Sequence, residues 1–277
     1  MSSVGSPLYT APFDAVADRY DELFTESRIG QAQRASVWTE LNKAFGSGDR
    51  VLEIGCGTGV DACFLANHGV RVVACDSSPR MLAMTTRRVE ETGNSEFVQP
   101  RLLGAENINR LREGRTFDGA FSNFGALNCV KDLRRLASDL AQLLRPGASL
   151  LICLMGPCCL WELTWYLAHG NPRKAFRRFH REGVDARLAD GAVVRVFYPS
   201  VRSLTRTFAP EFHLQSVKGI GISVPPSYLE PLPLRFPRTF ALQKRIDSWL
   251  AECPGIRSLA DHILLRFERT RCAMKAQ

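Results

Sequence analysis

From residue 50 onward, short runs rich in Val, Ile and Leu alternate with longer segments whose apolar residues recur every three or four positions. That alternation predicts a mostly parallel sheet wrapped by helices. Strands are expected over 50–54, 70–75, 96–98, 117–122 and 149–154. Local chemistry marks the helices between them. Ser78-Pro79 joins a capping hydroxyl to a first-turn proline, and the stripe Leu133, Leu136, Leu140, Leu143, Leu144 stops at Arg145-Pro146-Gly147. The βαβ order then imposes right-handed crossovers.

Before this unit, Phe13, Val16, Tyr20 and Phe24 recur at helical spacing and predict one helix or two short ones. After the fifth strand the rhythm is suspended. Helices are expected around 161–166 and 174–179, separated by the turn Gly170-Asn171-Pro172. A strand at 214–224 resumes the sheet. A Pro-rich stretch at 225–237 and a helix at 239–252 follow, and the alternating run 262–267 adds a last strand antiparallel to its neighbours. The expected fold class is α/β, a doubly wound seven-stranded sheet with helical insertions after the fifth strand and before the last. The expected division is a helical cover over 1–48, a core over 49–155, a lid and acceptor pocket over 156–212, and the last two strands with their insertion over 213–277.

Composition narrows the class. A chain of 277 residues with 45% hydrophobic and 23% charged positions is ordinary for a soluble globular protein. Its opening Met1-Ser2-Ser3-Val4-Gly5-Ser6-Pro7 lacks a basic stretch followed by an apolar core, and the longest apolar run, 148–161, is broken at Ser149 and Gly156-Pro157. That run falls short of the roughly 20 residues that span a bilayer, so a cytoplasmic location is expected. The nine cysteines are odd in number and none is spaced C-x-x-C, which reads as reduced packing residues. Cys158-Cys159 lacks His or Cys at ligand spacing, and no metal site is expected. Charge is unevenly placed: residues 1–150 carry 17 Lys+Arg against 18 Asp+Glu, residues 151–277 carry 19 against 10. The second half therefore suits an anionic partner or a solvated face.

The most informative stretch is Val51-Leu52-Glu53-Ile54-Gly55-Cys56-Gly57-Thr58-Gly59, a strand running into three alternate glycines. Glycine there lets the chain turn sharply and a ligand lie on bare backbone. Asp76 ends the next strand, 17 residues after Gly59, where a carboxylate can accept both hydroxyls of a ribose. A dinucleotide fingerprint starting at Gly55 would place its third glycine at position 60, which is Val60. The glycine register instead closely resembles that of class I S-adenosylmethionine-dependent methyltransferases, whose first motif is an acidic residue followed by G-x-G-x-G. Asp76-Ser77-Ser78-Pro79-Arg80-Met81-Leu82, Phe117-Asp118 through Asn123-Phe124, and Leu143-Leu144-Arg145-Pro146-Gly147 resemble later motifs of the family. Phe13-Asp14-Ala15-Val16-Ala17-Asp18-Arg19-Tyr20-Asp21 is similar to the cover helix of its small-molecule, quinone-biosynthesis-like (methyltransferase type 11) branch.

The resemblance implies a Rossmann-like fold and S-adenosylmethionine as cofactor. It implies that Glu53 and the backbone of Gly55, Cys56, Gly57 and Gly59 hold the methionine part, and that Asp76 holds the ribose. Ser77 or Met81 would flank adenine, Asn123 and Phe124 would approach the sulfonium, and Tyr20 would cover the cofactor. That branch often has G-D-A-E after its third strand. Here Leu103-Gly104-Ala105-Glu106 puts Gly104 at the acidic position, shifting the adenine contact to Glu106 or to backbone at Ala105.

The implied activity is methylation of a small hydrophobic or aromatic metabolite at oxygen, nitrogen or carbon. The aromatic cluster Trp161, Trp165, Tyr166, Phe176 and Phe179, with Arg177, is the expected acceptor site. Arg173, Lys174, Arg177, Arg178 and Arg181 could face an acidic group or an anionic membrane surface. Should the acceptor need deprotonation, His169, His180 and His213 are the candidate bases. Ser122-Asn123-Phe124-Gly125 is not the N-P-P-[FYW] loop of base-amino methylation, so no nucleic-acid partner is expected. Two alternatives stand beside this reading: a methyltransferase of RNA or protein that uses the basic half, and a cofactor-binding protein without methyl transfer.

Overall fold

Strand residues in the first half alternate between two apolar layers, and that alternation builds the molecule. Leu52, Ile54, Val73, Cys75, Ile152 and Leu154 join one buried cluster, whereas Val51, Val72, Ala74, Leu151 and Cys153 join the other on the opposite face. A sheet covered on both faces needs near-continuous apolar strands, as found here. The computed structural model describes residues 11–111, 116–188 and 191–271, so the opening Met1–Pro7 lies outside the described residues.

The chain enters through a 3-10 turn, Pro12–Val16, the short helix α1 (Ala17–Tyr20) and a π turn, Asp21–Thr25. Helix α2 (Arg28–Ala44) follows, its first turn capped by Ser27 Oγ, which accepts the Gly30 N–H at 2.9 Å. Then come β1 (Arg50–Ile54), α3 (Val60–Ala66), β2 (Arg71–Asp76), α4 (Pro79–Glu91), β3 (Val98–Leu102), β4 (Phe117–Ser122), α5 (Leu133–Leu143) and β5 (Leu144–Met155). The second half adds α6 (Leu160–Ala168), α7 (Pro172–Ala175), β6 (Val184–Arg187), β7 (Val193–Val196), α8 (Val201–Phe208), β8 (Phe212–Ile220), α9 (Pro231–Arg235), α10 (Pro237–Leu250) and β9 (His262–Arg269).

Seven strands form one sheet in the order β3-β2-β1-β4-β5-β9-β8. The pairs from β3 to β5 are parallel, and β9 runs antiparallel to both β5 and β8. The strand order reverses between β1 and β4, which places a crevice at their carboxyl ends. Three local differences from the pattern stand out. The third strand, expected over 96–98, lies at Val98–Leu102 and runs through polar Gln99-Pro100-Arg101. It is the edge strand, where a proline without an N–H costs no ladder bond. The fifth strand begins at Leu144, because Arg145-Pro146-Gly147 is a register shift within it and not a stop. The segment after β5, read as helical, also contains a separate antiparallel pair, β6-β7.

Candidate functional site

At the end of β1 the chain turns through Gly55, Gly57 and Gly59, with φ of +72°, +56° and +78°. Side chains rarely adopt that region. Crowding adds to the demand, since a Cβ on Gly55 would meet Ala126 Cβ at 2.3 Å and one on Gly59 would meet Thr85 Cγ2 at 2.7 Å. At Gly57 a Cβ would meet nothing within 4 Å, so its glycine leaves space open toward the crevice. The bend is pinned from below by Cys75, whose carbonyl accepts the N–H groups of Gly55 and Cys56 at 2.8 and 2.9 Å.

Asp76, at the end of β2, holds the bend from the side. Its carboxylate accepts the Gly57 N–H and the Ser78 N–H, both at 2.8 Å. Burial raises its pKa, and those two backbone donors oppose the shift. Ser78 caps α4 by accepting the Met81 N–H, and donates its own hydroxyl to Asp14 Oδ1 at 2.5 Å. Asp21 accepts the Thr58 hydroxyl at 2.8 Å and pairs with Arg88. Two acids therefore fasten the entering segment over the glycine bend, which brings Tyr20 to the crevice.

Beneath the bend lies a buried polar group. Asp61 accepts from Arg34 Nη1 at 2.6 Å, Trp38 Nε1 at 2.7 Å and Asn123 Nδ2 at 2.9 Å. Glu53 is 2% exposed, and its Oε2 has no partner among the described residues. Asn123 Oδ1 and Arg34 Nε are likewise buried without partners. Burial drives the Glu53 carboxyl well above its ordinary pKa, with Asp61 and Asp76 pushing the same way and Arg34 opposing. Unpaired polar groups in an interior are costly, so three of them in one place point to a ligand. Arg34 and Asn123 line a small cavity of about 30 Å³, whose walls also include Tyr20, Cys56 and Asp61.

Phe124, just past β4, has φ of +47°, the one non-glycine residue with positive φ among those described. Its ring meets Phe24 edge-on at 4.9 Å and His262 at 5.6 Å, and the Arg34 guanidinium sits 4.9 Å from its centre. A strained residue held by such packing commonly marks a functional wall.

These groups converge on a cavity of about 340 Å³, within the ordinary size range of small-molecule sites. Of the residues singled out in the sequence, Tyr20, Gly55, Gly57, Asp76, Ser77, Met81, Ala105, Glu106, Asn123 and Phe124 line it. Glu53 is buried beside them, Cys56 lines the smaller cavity, and Gly59 starts α3. The other end is apolar: Leu127, Val130, Met155, then Ala186, Val194 and Val196 from the β6-β7 pair and Leu188 just after β6. Cys129 also lines it, its thiol pushed up to about 11 by burial. Asn128 anchors that wall. Its side chain donates to the carbonyls of Met155 and Phe197 at 2.9 and 2.6 Å and accepts the Met155 N–H at 2.9 Å.

The expected acceptor residues lie elsewhere. Trp161 Nε1 donates to Ser223 O, Trp165 stacks on His169, Tyr166 stacks on Tyr228, and none of the three lines the cavity. Arg177 grips Glu162 through two bonds of 3.1 and 2.6 Å, and Arg178 bonds both Glu162 and Asp261 at 2.7 Å. Arg177 and Arg178 are thus spent on docking the chain after α7 against α6 and Asp261, while Phe176 and Phe179 are exposed, as are Arg173, Lys174 and Arg181. His169, His180 and His213 are exposed and do not line the cavity. Sequence reasoning missed Arg34 and Asp61, although Arg34 sits among the buried positions Ile29, Val37 and Leu41 of one helix. It also missed the β6-β7 wall, signalled by the two-residue alternation of Val184-Asp185-Ala186-Arg187.

Comparison with known proteins fits this geometry. Residues 51–147 match a family described as a methyltransferase domain. The stretch that carries the glycine bend and Asp76 thus resembles a methyltransferase domain. A demethylmenaquinone methyltransferase of Clavibacter sepedonicus is 33% identical over 144 residues, which cover 52% of this chain and 56% of the relative. The chain thus spans little more than half the length of the curated relatives it matches. Among solved structures, an S-adenosylmethionine dependent methyltransferase from Listeria monocytogenes aligns with a TM-score of 0.61 at 20% identity, covering 87% of this chain and 99% of that one. The CcbJ methyltransferase from Streptomyces caelestis aligns at 0.60 and 17%, covering 95% and 99%. At these identities the structures show a shared fold. The methyltransferase domain match holds Glu53, the glycine bend, Asp76 and Asn123. Tyr20, Met155 and the β6-β7 wall lie outside it.

Proposed function

We propose that the chain binds S-adenosylmethionine in this cavity and methylates a small apolar or aromatic acceptor held between Val130, Met155 and the β6-β7 pair. The observation that carries the reading is the unpartnered Oε2 of the buried Glu53 carboxylate, near the open face of Gly57 and the Asp76 carboxylate. Such a set suits a ligand with an amine at one end and neighbouring hydroxyls in the middle. Glu53 would hold the ammonium, Arg34 Nε the carboxylate, and Asp76 the ribose hydroxyls. Ser77 and Met81 would flank the base, with Glu106 and the backbone of Ala105 at its edge. Asn123 and Phe124 would face the sulfur end, closed from above by Tyr20.

When bound, the cofactor supplies a methyl group on a positively charged sulfur, which a nucleophile displaces in line. The protein's part is alignment and exclusion of water. The apolar wall of Leu127, Val130, Leu188 and Val196 strips water from the acceptor end. Cys129 stays a thiol at neutral pH, its pKa of about 11 keeping it from competing as a nucleophile. The name of the relatives, demethylmenaquinone methyltransferase, supports an aromatic ring as acceptor. Incubation with methyl-labelled cofactor and a panel of phenolic and quinol acceptors, read by mass spectrometry, should show a gain of one methyl. Tight cofactor binding without a methylated product from the panel or from cell extract would replace this reading with cofactor binding alone.

A further inference from the structure

Outside the cavity, the described residues form a groove of about 890 Å³ between the start of α5, the chain after α7, and α8. Its cations are out of balance with its acids. Lys131, Arg181, Arg202 and Arg206 line it, are exposed, and make no ion pair among the described residues. Two further lining arginines are already committed: Arg134 bonds Glu211 and Thr207 O, and buried Arg178 bonds Glu162 and Asp261. Asp132 is the acid among the lining residues, and its Oδ1 caps α5 by accepting the Arg135 N–H at 2.9 Å. Arg202 and Arg206 stand four residues apart, on one side of α8, where like charges repel. Four uncompensated cations gathered in a concavity are what an anionic group would neutralise.

The groove adjoins the acceptor end of the cavity. Val130 lines both, and Val196 of the cavity is followed by Phe197 of the groove. No residue of the cofactor end, whether Asp76, Ser77, Met81 or Glu106, lines the groove. We propose that the acceptor carries an anionic group, a phosphate or carboxylate, held in this groove by Lys131, Arg181, Arg202 and Arg206 while its apolar part enters the cavity past Val130. The inference rests on the methyl-transfer reading and narrows its substrate class. A concave site suits a discrete group on a small molecule better than a flat lipid surface or a nucleic-acid strand.

Two arms test it on the full chain. In the first, inorganic pyrophosphate is titrated into wild type and the Arg202→Ala/Arg206→Ala variant by calorimetry, with S-adenosylhomocysteine as control. Affinity for pyrophosphate should fall at least tenfold in the variant and at low salt exceed that at high salt, while the control ligand binds both proteins alike. In the second, cell extract is incubated with methyl-labelled cofactor, and products are separated on an anion exchanger. The labelled small molecule should be retained by the exchanger, and the variant should make at least tenfold less of it. An unretained product, or equal labelling of a retained one by the variant, overturns the proposal. Label in RNA or protein overturns it in favour of a macromolecular acceptor. If the control ligand binds yet nothing is methylated, the methyl-transfer reading fails, and the acceptor proposal that rests on it falls too. Pyrophosphate binding that the variant leaves unchanged overturns the assignment of these residues.

Discussion

Gly57 and Glu53 separate binding from folding more cleanly than any other residues in the site. A Cβ at Gly57 meets no atom within 4 Å, so Gly57→Ala pays only the left-handed backbone penalty, about 1–2 kcal/mol. Denaturant melts should show a folded variant with that loss, while calorimetry shows cofactor affinity reduced more than tenfold. Gly55→Ala should unfold far more readily, because its Cβ meets Ala126 at 2.3 Å. Glu53 acts through a proton. Its pKa is raised by burial, so the folded state keeps a proton that the unfolded chain releases, and the stability this gives is lost as pH rises through the raised value. Glu53→Gln should therefore raise the melting temperature of the apoprotein at pH 8. A cationic amine at Glu53 requires the ionised form, so wild-type cofactor affinity should fall as pH falls, and Glu53→Gln should bind weakly with a flatter profile. Much of this was readable from the alternate glycines and Asp76. The Arg34–Asp61 pair was not, because a helix pattern shows which face is buried but not which distant carboxylate that face will meet.

The β6-β7 pair and the α6–α7 unit are the elements whose roles depend on a few buried polar groups. Asn128 is fully buried and fixes Phe197 and Met155 through three side-chain bonds. At about 1 kcal/mol per bond, Asn128→Leu should cost roughly 3 kcal/mol. Hydrogen exchange should rise across Val193–Val196, and the acceptor KM should rise with it, while cofactor affinity stays within twofold. Removing Arg178 leaves Glu162 and Asp261 buried with fewer partners, and Arg178→Met should cost about 3–5 kcal/mol by denaturant melt. The strands at 50–54 and 117–122 were legible because an apolar run covered on both faces resembles little else. β3 was misplaced because an edge strand tolerates Gln99-Pro100-Arg101, and the β6-β7 pair was missed because four-residue strands carry too few positions for their alternation to stand out.

At the scale of the whole molecule, the sheet order β3-β2-β1-β4-β5-β9-β8 sets the proposed cofactor end of the cavity at the β1–β2 side and the proposed acceptor end beyond β4. The sequence disclosed the first because backbone geometry there demands glycines at fixed spacing. It concealed the second, since the apolar wall proposed to hold the acceptor is assembled from Val130, Met155 and Leu188, separated in sequence and unmarked by any motif. The excess charge of residues 151–277 was visible as a number, but only the fold gathers Arg181, Arg202 and Arg206 into one groove. Everything functional rests on occupancy of the crevice above Gly57. Calorimetric titration of the chain with S-adenosylmethionine should give one saturable site, weakened severely by Asp76→Ala. No heat with that ligand or its demethylated form, together with saturable binding of NADH, would contradict the account.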